Sequence, residues 1–233
     1  MHGSLFHWRL APLLFLLFYG CGSEQAEREG NPVDETRGAG VETQSESTGP
    51  ILAYLGDSIS AGLHHDPEYA FPAVLRELLA EEGIETRLIN GGVSGDTTAG
   101  GLRRVGWLLA QQPEYVVVEL GGNDGLRGVP LDSIDSNLRA ILEKIREAGS
   151  AAILLGARMP PNYGADYTLG FEAIYKRLAQ EYELAFVPFF LEGVGGVPEL
   201  NLEDGLHPTR EGHRQIARHL LPTFRDQLNE AGP

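Results

Sequence analysis

Ile51-Leu52-Ala53-Tyr54-Leu55-Gly56-Asp57-Ser58-Ile59-Ser60 is the stretch from which the fold is read. Five apolar or aromatic residues stand in a row with no polar alternation. Such a run predicts a strand buried on both faces, as in a parallel sheet. It stops at Gly56-Asp57-Ser58, which puts a serine at the strand's end. In open parallel sheets that end is where ligands bind. Ser58 taken alone has two readings: it caps the segment that follows, or it is a nucleophile.

Four more apolar runs follow, at 86–89, 115–120, 151–155 and 185–188. Helical patterns occupy 68–82, 98–111, 131–148, 166–182 and 209–229. The third has a clear helical period, with Ile134, Leu138, Ile141, Leu142 and Ile145 on one stripe and Asp135, Arg139, Glu143 and Arg146 elsewhere. Gly149 supplies its stop. Strands alternating with helices predict an α/β fold: a five-stranded parallel sheet, helices on both faces, right-handed crossovers. Residues 51–233 are expected to form one domain.

What precedes residue 51 reads differently. Residues 1–21 resemble an export signal, with Arg9 as a modest positive region and a short apolar stretch over 10–19. That stretch is too short to span a bilayer. It ends in Leu17-Phe18-Tyr19-Gly20-Cys21, and Cys21 is the only cysteine of the chain. The box resembles the bacterial lipoprotein type, in which the cysteine is lipidated and anchors the protein at a membrane on the periplasmic face; Phe18 stands where such boxes usually carry Leu. Without lipidation the product is expected to be periplasmic or secreted. Residues 22–50 are acidic and polar and carry no aromatic side chain, so a disordered linker is expected. The net charge of −15 argues against nucleic acid, which requires clustered Lys and Arg. One cysteine permits no intramolecular disulfide.

Each further motif follows a predicted strand. Asn90-Gly91-Gly92-Val93-Ser94-Gly95-Asp96-Thr97 comes after the second, and its glycines permit positive φ and close approach of a backbone N–H to a ligand. Glu119-Leu120-Gly121-Gly122-Asn123-Asp124-Gly125 comes after the third, where the Asn123 amide can donate to a developing oxyanion or close an Asx turn. Near the C-terminus, Asp204 and His207 are three residues apart, a spacing that lets the carboxylate fix the ring tautomer and leave the other nitrogen free as a base. A metal site is the competing chemistry, but no second His or Cys lies at ligand spacing nearby. His213 and His219 are expected on the solvated face of the last helix, and His64 and His65 with Asp66 in a surface loop. Neither a Gly-x-Ser-x-Gly elbow nor a phosphate-cradling Gly-x-x-x-x-Gly-Lys-Ser/Thr loop is present.

In this fixed order, Gly56-Asp57-Ser58, the Gly95 turn, Gly122-Asn123-Asp124 and Asp204-x-x-His207 resemble blocks I, II, III and V of the SGNH (GDSL-type) hydrolases. Likeness is closest to the bacterial thioesterase I / lysophospholipase / arylesterase branch, notably at 93–97, 118–128 and Pro161-Asn162-Tyr163-Gly164. Ile59 replaces the Leu of the GDSL name. The resemblance implies a flavodoxin-like three-layer α/β/α sandwich. It implies Ser58 as nucleophile, His207 as base and Asp204 as its orienting partner, with Ser58 N–H, Gly95 N–H and the Asn123 amide as the oxyanion hole. It also implies substrate-binding roles for Asp57, Asp124 and Tyr163, a loop over 121–128 that adjusts to substrate, and a loop over 159–164 that borders the acyl site. No metal or organic cofactor is implied, and the expected state is a monomer acting on a small ester or thioester. Carbohydrate O-acetyl esterases of the same fold share these blocks and are the alternative, followed by a non-catalytic lipid- or carbohydrate-binding lipoprotein.

Overall fold

The computed structural model describes residues 49–230. The export signal, Cys21 and nearly all of the 22–50 linker lie outside the described residues. In chain order the elements are β1 (Ile51–Gly56), α1 (Ser58–Ala61), α2 (Phe71–Glu81), β2 (Arg87–Asn90), α3 (Thr98–Leu109) and β3 (Tyr115–Glu119). They continue with α4 (Gly122–Leu126), α5 (Leu131–Glu147), β4 (Ala151–Leu155), α6 (Ala165–Glu181), β5 (Ala185–Val187) and α7 (Arg210–Glu230).

All five strands are parallel, in the order β2-β1-β3-β4-β5. Helices α2 and α7 pack together on one side, and α3, α5 and α6 pack in sequence on the other. The result is a three-layer α/β/α sandwich with the flavodoxin-like strand order. That order reverses direction at β1, so the crevice outside the carboxyl ends of β1 and β3 is the topological switch point. Ser58 follows β1 and Asn123 is close behind β3, so the topology itself delivers both to one place.

The central strands are apolar because both faces are covered. Leu52, Ala53, Tyr54, Leu55, Val116, Val117 and Val118 are buried. Tyr54 meets Phe71 edge-on at 5.8 Å and stacks on Phe224 at 6.5 Å, which ties β1 to α2 and α7. The stripe read from α5 is buried at every expected position. Gly149, at φ +79°, ends that helix as a Schellman motif: Gly149 N–H donates to Arg146 O and Ser150 N–H to Ile145 O.

Two elements depart from the sequence reading. The helix expected over 68–82 is split into a 3₁₀ turn at Pro67–Tyr69 and α2, because Ala70 is extended and Pro72 sits in the first turn of α2. Helix α4 falls inside the loop expected over 121–128, since Gly-Asn-Asp-Gly has the composition of a turn.

Candidate active site

The site is assembled from the ends of three strands and one long loop. After β1 the chain turns at Asp57 and enters the single turn of α1, with Ser58 as its first residue and Gly62, in the left-handed region, closing it. Gly56 is required at the strand end: an added Cβ would lie 2.1 Å from Ser60 Oγ and 2.8 Å from Glu119 Oε2. Ser58 is 8% exposed, enough for its hydroxyl to reach the crevice.

The loop between β5 and α7 brings the histidine. Asn201 pairs with Pro208 in an antiparallel bridge, and its Nδ2 donates to Val194 O and Val197 O. Leu202 N–H donates to His207 O, which closes the loop on itself. Inside it, Asp204 Oδ1 accepts from the N–H groups of Leu206 and His207, and Oδ2 lies 2.6 Å from His207 Nδ1. These bonds, the His207 N–H first, hold the Asp204 carboxyl well below the usual carboxylate range. An ionised Asp204 makes Nδ1 the protonated nitrogen, so Nε2 offers its lone pair. Nε2 lies 2.9 Å from Ser58 Oγ. Hydroxyl, imidazole and carboxylate therefore form one continuous chain of hydrogen bonds.

The Gly95 turn and Asn123 flank this chain. Gly95 is exposed, with φ +76°, and no acceptor among the described residues takes its N–H. Its carbonyl accepts from Arg127 Nη2 at 3.0 Å. Asn123 lies in the first turn of α4 and faces a cavity of about 480 Å³ that also opens onto Asp57, Ser58, Glu119 and His207. Leu126, Ala157, Met159, Pro160, Pro161, Phe189, Phe190, Leu191 and Leu206 give that cavity mainly apolar walls. Among the described residues no group of three or more His, Cys, Asp or Glu side chains is placed to hold a metal ion.

The three residues expected to bind substrate are placed differently from one another. Asp57 lines the cavity, but its oxygens accept from Ile59 N–H and Asn123 Nδ2. Asp124 turns inward, away from the cavity: it is 1% exposed, and its oxygens accept from Thr98 N–H and Thr98 Oγ1 at the start of α3. Its side chain anchors α3 to α4 and does not face a ligand. Tyr163 is half-buried and donates to Leu126 O at 3.1 Å, which links the 159–164 loop to α4, and it does not line the cavity.

The two histidines of the last helix also depart from expectation, whereas His64 and His65 lie in the expected loop. His213 is 1% exposed, not solvated, and its Nδ1 accepts from Phe71 N–H. Burial, helped by His65, pushes it down to about 4. His219 is half-buried with Nε2 3.1 Å from Phe189 O. His65 reaches Pro208 O at 2.9 Å, beside His207, and the ring of exposed His64 stands edge-on to that of His207 at 6.0 Å.

Two residues to which the sequence reading gave no task support the site. Glu119, a lone carboxyl in an apolar strand, is 3% exposed and accepts from Asp57 N–H and Ser60 Oγ beneath the serine turn. Burial, and then the neighbouring Asp57 charge, push its carboxyl well above the ordinary range. Arg104 donates to Asp96, Gly91 O and Gly56 O, clamping the Gly95 turn to the ends of β1 and β2.

Known proteins are similar to this chain over most of the described residues. The model of the GDSL-like Lipase/Acylhydrolase family matches residues 54–215. "Esterase TesA" of Pseudomonas aeruginosa is 42% identical over 184 residues, covering 78% of this chain and 92% of its own length. "Thioesterase 1/protease 1/lysophospholipase L1" of Escherichia coli is 42% identical over 179 residues, covering 76% of this chain and 85% of its own. The crystal structure of TesA superposes with a TM-score of 0.73 at 44% identity, covering 76% of this chain and 98% of that one. The serine at the switch point, the strand-end order of the blocks and a match that runs from β1 into α7 lead to one conclusion: this chain belongs to the GDSL-like lipase/acylhydrolase family.

Proposed function

We propose that the chain hydrolyses carboxylic esters and thioesters by two-step acyl transfer on Ser58. The observation that carries this reading is the unbroken relay from Ser58 Oγ to His207 Nε2 at 2.9 Å and from His207 Nδ1 to Asp204 at 2.6 Å. Ser58 Oγ attacks the carbonyl carbon as its proton passes to Nε2. The negative charge on the former carbonyl oxygen is held by Ser58 N–H, Gly95 N–H and the Asn123 amide. Protonated His207 returns the proton to the departing alcohol or thiol, leaving an acyl-serine. Water, deprotonated by His207, attacks that acyl group, and its collapse restores Ser58 and releases the acid. Asp204 remains ionised and orients the ring throughout.

The apolar cavity walls support an acyl chain of several carbons in preference to an acetyl group on a sugar. A series of p-nitrophenyl esters from C2 to C12 tests this, with acyl-CoA thioesters assayed beside it. Rates that rise from C2 to C4 or longer support the reading, and a sharp acetyl optimum would favour the carbohydrate esterase. The same reading has the protein monomeric and exported, with lipid on Cys21. No helix among the described residues is long and apolar enough to cross a membrane. Cys21→Ser should move the expressed protein from the membrane fraction to the soluble one, and an unchanged partition would exclude the lipid anchor.

A further inference from the structure

The carboxylate of Asp57 caps the serine turn with one oxygen and holds the Asn123 amide with the other. It is 4% exposed, and it accepts from Ile59 N–H through Oδ1 and from Asn123 Nδ2 through Oδ2, each at 3.0 Å. An ionised carboxylate can only accept, so the edge of the Asn123 amide that faces it has to be the NH₂ edge. That NH₂ has a second hydrogen, in the plane that Asp57 fixes, and Asn123 faces the cavity beside Ser58. An amide without such a partner can rotate and present its oxygen instead, which repels an oxyanion rather than stabilising it.

We propose that Asp57 is a positioning residue that locks the Asn123 amide with its N–H toward the reacting carbonyl, and that turnover therefore requires Asp57 to be ionised. This rests on the reading of Asn123 as an oxyanion donor. The groups that face Asp57 are Glu119 from β3, His207 from the loop before α7, Asp96 from the turn after β2 and Tyr175 from α6. Burial pushes Asp57 up, the bonds from Ile59 and Asn123 and the charge of His207 pull it part of the way back, and the net value is about 6. A raised acid gains its proton as pH falls through that value. Once protonated, it can set a donor against a donor and release the amide. Acidification then opens the lock.

Asp57→Asn keeps the shape but replaces one of two acceptor oxygens by a donor, so one of the two bonds is lost. The test is kcat and KM on p-nitrophenyl butyrate across the acid range for wild type, Asp57→Asn, Asn123→Ala and the double variant. The lock predicts that Asp57→Asn lowers kcat by about 10- to 100-fold with KM nearly unchanged. It also predicts no further loss from Asp57→Asn once Asn123 is Ala. The acid limb of log kcat/KM should be less steep in Asn123→Ala than in wild type, since the amide that Asp57 holds is gone. Should Asp57→Asn fail to fold, the slopes of wild type and Asn123→Ala decide the matter without it. Full activity in Asn123→Ala removes the oxyanion reading and the lock with it. An impaired Asn123→Ala that loses as much again on Asp57→Asn, or keeps the steep acid limb, overturns the lock alone.

Discussion

His207 Nε2 lies 2.9 Å from Ser58 Oγ although 149 residues separate them in sequence. The approach is produced by topology: β1 ends at the switch point, and the loop between β5 and α7 folds back over the same edge of the sheet. One further bond, 2.6 Å from His207 Nδ1 to Asp204 Oδ2, carries the relay to a carboxylate held well below the usual range.

Because the three groups act as one unit, each should be costly alone. His207→Ala and Asp204→Asn are each expected to lower kcat by about 10⁴-fold with KM little changed. Steady-state kinetics on a short-chain aryl ester check this, with unaltered circular dichroism showing that the fold persists. Retention of a tenth or more of the activity in either variant would remove that residue from the relay.

Asn123→Ala should lower kcat by about 10²- to 10³-fold and leave KM within a few-fold, since the donor is needed most when charge develops. The same variant should lose affinity for a tetrahedral phosphonate or boronate inhibitor while binding the carboxylic acid product as before. Equal losses for both ligands would mark Asn123 as an ordinary binding residue.

Glu119 offers a prediction about stability. Its folded carboxyl is held above its unfolded value by burial and by Asp57, so the native state binds the extra proton. The stability it contributes is present at low pH and is lost as pH rises through the folded value. Glu119→Gln keeps an acceptor oxygen for Asp57 N–H and Ser60 Oγ but has no charge to bury. Its melting temperature should equal or exceed that of wild type at pH 8, with a flatter dependence between pH 5 and 8. A variant that loses more stability at pH 8 than at pH 5 would contradict the sign.

His213 works in the opposite sense. Burial lowers it from 6.5 to about 4, so the unfolded chain binds its proton first on acidification. The stabilisation is complete above the unfolded value and is lost as pH falls toward 4, at most about 3 kcal/mol. His213→Gln should therefore lose less stability than wild type between pH 7 and 4.5 in thermal unfolding. Parallel curves for the two proteins would show that the ring is protonated without penalty.

The five strands and the five long helices were legible because they follow local rules, whereas Ser58, Asp204 and His207 were expected as a relay only from the resemblance of their motif blocks. Apolar runs, the α5 stripe and the Gly149 stop each depend on neighbours within a few residues. What was not legible depends on partners far away in sequence. Nothing near Asp124 reveals that both its oxygens go to Thr98, 26 residues earlier. Asp57 reads as a pocket residue until Asn123, 66 residues on, is seen to occupy it. His213 was open to a better reading, since it shares a helical stripe with Ile216, Ala217, Leu220 and Phe224, all buried. A polar residue in phase with an apolar stripe is a candidate for burial, as Glu119 within β3 also is.

The covalent role of Ser58 is reached most directly by a fluorophosphonate probe, which reacts with an activated serine and remains attached. Mass spectrometry of the digested wild-type protein should place the adduct on the peptide containing Gly56-Asp57-Ser58, with ester hydrolysis lost in step. Ser58→Ala should take up no probe and turn over no ester. Labelling that survives in Ser58→Ala, or an adduct on another serine, would contradict the assignment of Ser58 as the nucleophile.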